Sequence, residues 1–258
     1  MTFLPTLGSS HAPTQAATRL ASFREAVDQE LQRLGREKGS VRIVATSRAL
    51  MADPVTHLAQ AGMRDFCEEF LPEGVSKRPV VDAKVTGLTW HFAGRLVPQK
   101  MPLVLESFDW IHTLDRATLV RPLKEALQAR TTPLHVLIEV NPLGNSKRLG
   151  CSEEDLPELI EATRAIPGMT LQGLSFRTEH FIDLEEASYG FKKMKEIQED
   201  MMNQEILHEE MSCLAMGASR DYREALAQGA TFLRVGTALF GEEAYRVMGG
   251  NPLETFDL

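Results

Sequence analysis

The chain has 258 residues, of which 43% are hydrophobic and 25% charged, a size and composition that exclude fibrous, low-complexity and largely disordered proteins. Acidic residues outnumber basic residues by 36 to 28, so neither nucleic acid nor an anionic membrane surface is an expected partner. The three cysteines lie far apart, without CxxC or Cys/His metal-ligand spacing, which predicts a reducing, cytoplasmic location and no metal site.

The first predicted element is an amphipathic helix at residues 16–38, where apolar side chains recur at spacings of three and four. We expect residues 1–15 to form a flexible tail and residues 16–258 to form a single domain. After this helix, eight short apolar runs alternate with helical patterns. The predicted strands are residues 41–47, 64–68, 88–93, 109–113, 134–141, 169–176, 211–216 and 231–236.

Helical patterns separate these strands, most clearly at residues 114–130, 155–166, 184–207 and 219–228. Parallel strands need crossover helices, and eight strand-helix units in about 200 residues match the size of a TIM barrel. The sequence therefore predicts a single (β/α)8 TIM barrel with an extra N-terminal helix. A doubly wound open sheet is the alternative.

The ends of the last two strands carry the features of a phosphate site. Gly217 and Ser219 follow the seventh predicted strand, and Gly236 and Thr237 follow the eighth. Backbone N–H groups beside a glycine at a helix start can cradle a phosphate, and TIM barrels frequently bind phosphate at these two loops. The alternative is that Ser219 only caps a helix and that Gly236 and Thr237 only form a turn.

Other polar side chains are predicted at the same end of the barrel. Arg234 lies within an apolar strand and needs an acceptor, which a glutamate of the second strand or a ligand heteroatom can supply. Because Glu68 and Glu69 are adjacent, only one of them can face the barrel mouth. Asn141 ends the fifth strand. No lysine ends a strand, and the chain has no GxSxG or HExxH motif.

Five blocks of sequence resemble the pyridoxal phosphate homeostasis protein family, in matching order and spacing from about residue 20 to residue 245. They are VRIVATSR at 41–48, FCEEF at 66–70, WHFAG at 90–94, GL at 173–174 and RVGTALFG at 234–241. The resemblance implies a barrel like the alanine racemase N-terminal domain, of fold type III. It also implies binding of pyridoxal 5'-phosphate (PLP) and a part in vitamin B6 and amino-acid homeostasis, without firm catalytic turnover.

The resemblance also assigns roles to individual residues. Gly217, Ser219, Gly236 and Thr237 correspond to the phosphate cup of the family. Arg234 corresponds to the partner of the pyridine nitrogen, which would keep the ring nitrogen unprotonated and the ring a poor electron sink.

Several positions near the expected aldehyde depart from the family pattern. The family has a Schiff-base lysine at the end of the first strand, where this chain has Arg48, and an asparagine where it has Glu69. Ser175 replaces a methionine, Ala215 replaces a serine, and Arg148 stands where the family has a lysine. Because a guanidinium stays protonated in proteins, Arg48 cannot attack an aldehyde as an amine does. We therefore expect noncovalent binding and a pairing of Arg48 with Glu69.

Three functions remain open from the sequence. The first is a divergent, non-catalytic member that binds PLP or another phosphorylated small molecule noncovalently. The second is a pseudo-member that has lost the cofactor and acts as a regulatory or interaction protein. The third is a PLP-dependent amino-acid racemase, which the missing lysine and the 22 residues after Gly236 disfavour. A monomer is expected, and the sequence identifies no protein partner.

Overall fold

The computed structural model describes residues 12–145, 148–178 and 183–246, and within them the chain forms a closed barrel of eight parallel strands. Each strand pairs with the next, and the last pairs with the first. This closure confirms the TIM barrel and rules out the open sheet. The strands are β1 Arg42–Thr46, β2 Asp65–Glu68, β3 Thr89–Phe92, β4 Trp110–Leu114, β5 Leu134–Glu139, β6 Met169–Ser175, β7 Cys213–Ala215 and β8 Phe232–Val235.

Ten α-helices accompany the strands in the described residues. They are α1 Ala12–Arg33, α2 Ala52–Gln60, α3 Leu71–Asp82, α4 Met101–Ser107, α5 Val120–Leu127, α6 Leu156–Arg164, α7 Leu184–Asn203, α8 Tyr222–Ala227, α9 Thr237–Phe240 and α10 Glu242–Arg246. Short 3-10 turns precede α4 and α5.

The predicted boundaries differ from the observed ones where local signals compete. Helix α1 begins at Ala12, so residues 12–15 of the predicted tail are helical, and residues 1–11 lie outside the described part of the chain. Residue Leu114 ends β4 and is not helical, and the helix predicted from it begins only at Val120. Helix α8 begins at Tyr222, three residues later than predicted.

The barrel wall separates two apolar clusters. Outward side chains such as Phe66 and Trp90 join the main core with the surrounding helices. Inward side chains, which alternate with them along each strand, form a smaller cluster inside the barrel. Its buried members are Val44, Cys67, Ala93, Trp110, Leu137, Ala215 and Phe232.

Helix α1 completes the helical layer beside β8 and β1. Because β8 is followed by the four-residue α9 and not by a long crossover helix, this part of the barrel wall needs another cover. Helix α1 contacts α2, α8 and α9 there, and its Leu20, Val27 and Leu31 are buried. The N-terminal helix is therefore part of the domain core.

Truncation of a side chain in α1 tests this packing. We expect Leu31→Ala to lower the free energy of unfolding by about 2–5 kcal/mol, because Leu31 is fully buried. The matched control is Leu103→Ala on α4, a leucine that is 40% exposed and whose truncation should cost less than about 1 kcal/mol. Equal losses in urea unfolding would show that α1 is not part of the cooperative core.

Candidate functional site

The end of β1 and the end of β2 meet in an ion pair at the barrel mouth. The distance from Arg48 Nη1 to Glu69 Oε2 is 3.1 Å, and the two side chains are 17% and 22% exposed. The charge of Glu69 raises the pKa of inward-facing groups, including Cys67, after the larger effect of burial. The pair expected from the sequence is therefore formed, and it lies on the inner side of the barrel.

Glu68 faces the opposite way, as the alternation along β2 requires. It accepts hydrogen bonds from Ser47 Oγ at 2.5 Å and from Lys77 Nζ at 2.6 Å. Lys77 belongs to α3, is buried, and also donates to the backbone carbonyl of Ser47 at 2.7 Å. Burial raises the pKa of Glu68, and the Lys77 ammonium opposes this rise. The Lys77 amine thus lies in an ion pair between the barrel wall and a helix.

A second ion pair connects β5 to the residue after β6. Arg177 Nε lies 2.9 Å from Glu139 Oε1, and Arg177 Nη1 donates to the carbonyl of Ala93 at 2.8 Å. Burial lowers the pKa of Arg177, but the nearby Glu139 and Glu69 carboxylates raise it by more. The pKa of Arg177 is therefore above its ordinary value. Arg177 was not among the site residues predicted from the sequence. Its alternation with Gly173 and Ser175 is the signal that it faces inward.

Asn141 holds the loop that follows β5. Its Nδ2 donates to the carbonyl of Asn145 at 2.7 Å, and its Oδ1 accepts from the Asn145 N–H at 3.3 Å. The structure therefore gives this side chain a role within its own loop. Contact of Asn141 with a ligand remains a prediction.

Arg234 is buried inside the barrel, and its acceptors are not glutamates. Its Nη2 donates to the carbonyl of Phe176 at 2.8 Å, and its Nη1 lies 3.3 Å from His112 Nδ1. The prediction of a salt bridge to a glutamate of the second strand is wrong. The reason is that Glu68 faces outward to Lys77 and Glu69 pairs with Arg48.

A chain of hydrogen bonds continues from Arg234 through the barrel interior. His112 Nε2 lies 2.9 Å from His91 Nδ1, and His91 Nε2 lies 3.1 Å from Asp65 Oδ1. The same Asp65 oxygen lies 2.8 Å from Arg42 Nη2. A guanidinium can only donate, so His112 Nδ1 accepts and its proton sits on Nε2. By the same reasoning His91 accepts at Nδ1 and donates to Asp65 from Nε2. His91 therefore has partners at both ring nitrogens within the barrel.

The loops after β7 and β8 are joined to each other. Ser219 Oγ accepts a hydrogen bond from the N–H of Ala238 in α9 at 3.1 Å, and the Arg234 N–H donates to the Gly217 carbonyl at 3.0 Å. Because α8 begins at Tyr222 and Asp221 precedes it, Ser219 is not its N-cap. The expected cap of α8 is therefore not Ser219, whose hydroxyl bonds to the start of α9 instead.

Two glycines allow these loops to pack closely against their neighbours. Gly217 has φ +94°, and a Cβ there would lie 2.5 Å from the Ala225 Cβ, so a larger residue is strained on both counts. A Cβ at Gly236 would lie 2.8 Å from Tyr245 Oη. Thr237 begins α9 directly after Gly236, where backbone N–H groups have no partner within the helix. The four cup residues named from the sequence thus lie on two adjoining loops.

Tyr245 is a mouth residue that the sequence analysis missed. It lies in α10, is 8% exposed, and its hydroxyl donates to the carbonyl of Thr46 at 3.1 Å. Burial raises the pKa of Tyr245, while Arg48 lowers it and Glu69 raises it. The hydroxyl is therefore a neutral donor beside the Arg48–Glu69 pair. No pattern in the sequence indicates that the segment after β8 returns to the mouth.

Other kinds of site find little support in the described ranges. No group of three or more His, Cys, Asp or Glu side chains there is arranged to hold a metal ion, and none of the helices described is long and apolar enough to span a bilayer. Two surface clefts of about 480 and 230 Å³ lie at the other end of the barrel, and Arg42 lines both. None of the site residues expected from the sequence lines either cleft.

Comparisons with known proteins agree with this geometry. Residues 19–244 match the family profile of the alanine racemase N-terminal domain. A pyridoxal phosphate homeostasis protein of Pseudomonas aeruginosa is 33% identical over 229 residues, which cover 89% of this chain and 96% of that protein. The chain belongs to the pyridoxal phosphate homeostasis protein family. The Escherichia coli K12 member of the family is also 33% identical, over 232 residues that cover 89% of this chain and 97% of that protein.

A solved structure gives the family fold with its ligand. PipY of Synechococcus elongatus PCC7942, in a structure with PLP bound, is 27% identical to this chain. The two structures superpose with a TM-score of 0.76 over 88% of this chain and all of PipY. The family barrel is therefore present here over nearly its whole length.

The two hydrogen-bonded histidines inside the barrel, His91 and His112, predict a specific pH dependence of stability. Burial is the main cause that lowers the pKa of His91 and His112, so the folded protein keeps them neutral while the unfolded chain takes up protons below pH about 6.5. The stabilisation is complete above that pH and is lost as the pH falls. Between pH about 7.5 and 5.5 the wild type should lose about 1 kcal/mol more than His112→Gln.

Urea unfolding at several pH values measures this difference. The comparison with His112→Gln cancels the contributions that other groups, such as Glu68 and His135, make to both proteins. Parallel pH profiles for the two proteins would contradict the neutral, buried state of His112.

Proposed function

We propose that this protein binds PLP, or a closely related phosphorylated ligand, in the barrel mouth without a covalent bond, as a non-catalytic member of its family. The observation that carries this proposal is the residue at the end of β1. The resemblance to the family assigns the Schiff-base lysine to this position, and here Arg48 occupies it in an ion pair with Glu69. A guanidinium stays protonated and does not act as an amine nucleophile.

The residues around the mouth fit such a ligand in its phosphate half. The Gly217 loop and the Gly236 loop adjoin through the hydrogen bond from the Ala238 N–H to Ser219 Oγ, and neither glycine adds a side chain to them. The hydroxyls of Ser219 and Thr237 and the N–H group of Thr237 at the start of α9 are the donors that would hold the phosphate oxygens. PLP supplies an electron-withdrawing ring and a reactive aldehyde when it is bound.

Arg234 is the residue proposed to meet the ring nitrogen. His112 and the Phe176 carbonyl hold two of its nitrogens, so its orientation is defined before a ligand arrives. An arginine can only donate a hydrogen bond, and it keeps a ring nitrogen unprotonated. An unprotonated ring is a weak electron sink, which supports a role in binding and not in catalysis.

Lys77, the lysine of the described site, does not present its amine to the expected position of the PLP aldehyde. The Lys77 ammonium lies between the barrel wall and α3, bonded to Glu68 and to Ser47. Lys147, in the loop after β5, lies outside the described residues. A test of noncovalent binding must therefore detect an adduct at any lysine of the chain.

One observation favours the second function, a pseudo-member without cofactor. The Arg48–Glu69 and Arg177–Glu139 pairs both lie at the mouth, and Tyr245 packs beside the first. These side chains pair with one another without a ligand. Direct binding measurements separate the two functions, because a pseudo-member binds neither PLP nor phosphate at this end.

Our first binding prediction concerns the wild-type protein. Calorimetric titration with PLP should show saturable binding to one site per chain. Borohydride treatment of the mixture should leave the intact mass unchanged, because no lysine amine is joined to the ligand. A borohydride-stable adduct on any lysine would refute noncovalent binding, and the absence of binding by both PLP and inorganic phosphate would favour the pseudo-member.

The second binding prediction restores the amine. We expect Arg48→Lys combined with Glu69→Asn to give a borohydride-stable PLP adduct that peptide mapping locates at position 48. The matched control, Arg48→Gln with Glu69→Asn, removes the same ion pair without supplying an amine and should give no adduct. A double variant that binds PLP without forming the adduct would show that position 48 does not face the aldehyde.

A further inference from the structure

The carboxylate of Glu69 has an oxygen left to accept a hydrogen bond. Its Oε2 pairs with Arg48, whereas its Oε1 has no hydrogen-bond partner within the described ranges, and the side chain is 22% exposed. Glu139, the carboxylate of the other pair, differs. Both of its oxygens face Arg177, at 2.9 and 3.5 Å. Of these two inward carboxylates, Glu69 is the one that can receive a donor from a ligand.

The charges of the mouth also distinguish possible ligands. Arg48 and Glu69 place a cationic donor and an anionic acceptor side by side. The ligand edge that complements them carries an anionic or acceptor oxygen next to a cationic donor. In a phosphorylated pyridine of the vitamin B6 type, carbon 3 carries a phenolate oxygen and carbon 4 carries the neighbouring substituent. The two form such an edge when the substituent is an aminomethyl group.

We propose that the mouth selects the amine form of this ligand class, a pyridoxamine-type phosphate, over the aldehyde form. The inference rests on the proposed function, because it takes the phosphate to lie at the Gly217 and Gly236 loops and the ring nitrogen at Arg234. The carbon 4 substituent is opposite the ring nitrogen and so lies at the far end of the ring, where the family resemblance assigns position 48.

The ranking of ligands follows from their hydrogen-bonding groups. A primary ammonium donates a charge-assisted hydrogen bond to Glu69, while Arg48 donates to the neighbouring phenolate oxygen on carbon 3. An alcohol donates a weaker, neutral hydrogen bond. An aldehyde oxygen only accepts, so it leaves Glu69 without a donor and brings two acceptors together. The expected order of affinity is amine, then alcohol, then aldehyde.

The test is a calorimetric comparison of three ligands in an amine-free buffer at pH about 7.5. They are pyridoxamine 5'-phosphate, pyridoxine 5'-phosphate and PLP, which share the ring and the phosphate. Hydrogen bonds to charged groups predict that the amine binds about tenfold to a hundredfold more tightly than the aldehyde. The alcohol should fall between them.

Two variants show whether Glu69 is the cause. Glu69→Gln keeps the shape and removes the charge, so it should reduce the ratio of amine affinity to PLP affinity to less than about threefold. The matched control is Glu73→Gln on α3, which removes a nearby carboxylate that bonds to the Ala49 N–H. This control should keep the wild-type ranking, and circular dichroism of each variant verifies its fold.

The outcomes separate this inference from the proposed function. If PLP binds as tightly as the amine or more tightly, or if Glu69→Gln keeps the wild-type ratio, the selectivity is refuted while noncovalent ligand binding stands. If none of the three ligands binds to the wild type, the proposed function fails and the inference fails with it.

Discussion

The ion pair between Arg48 and Glu69 determines what the barrel mouth can do chemically. A guanidinium is a permanent cation and a planar donor, and the adjacent carboxylate holds it in place at 3.1 Å. A lysine at the same position can lose its proton and form a bond to carbon, but Arg48 cannot. In the proposed function, the rest of the site therefore binds the ligand through its phosphate, its ring nitrogen and the hydrogen bonds at its edge.

The interior of the barrel supports this arrangement by giving its inward-facing cations acceptors. Arg234 and Arg177 both lie where an unpaired charge would be costly, and each has a partner on another strand. The neutral His112 carries the connection from Arg234 to His91 and on to Asp65. Removing one member leaves the others without a partner, which is costly for buried polar groups, so the network holds the Arg234 guanidinium in a single orientation.

The fold and part of the site were predictable because their signals are local or follow from parallel pairing. Eight apolar runs separated by helical patterns already indicate the barrel. Thr46 pairs with Cys67 in the register of β1 and β2, so residues 48 and 69 are expected to meet two positions further on. The same reasoning applies to Glu139, which is in register with Ser175 and hence close to Arg177. The contact between Glu139 and Arg177 was not among the predictions made from the sequence.

The remaining site residues depend on contacts with no local signal. His112 and Arg234 are 122 residues apart and lie on strands that do not pair, so only the closed barrel brings them together. Tyr245 reaches Thr46 from a segment after the last strand. The start of α8 at Tyr222 also depends on a distant contact. Ser219 bonds to Ala238 of α9 instead of capping α8.

The most direct measurement of the central claim is a crystal structure of the wild-type protein soaked with PLP. The account predicts phosphate density between the Gly217 and Gly236 loops and no covalent bond between the aldehyde carbon of the ligand and any side-chain nitrogen, including those of Arg48. Continuous density from the ligand to a lysine, or a phosphate bound away from these two loops, would contradict it.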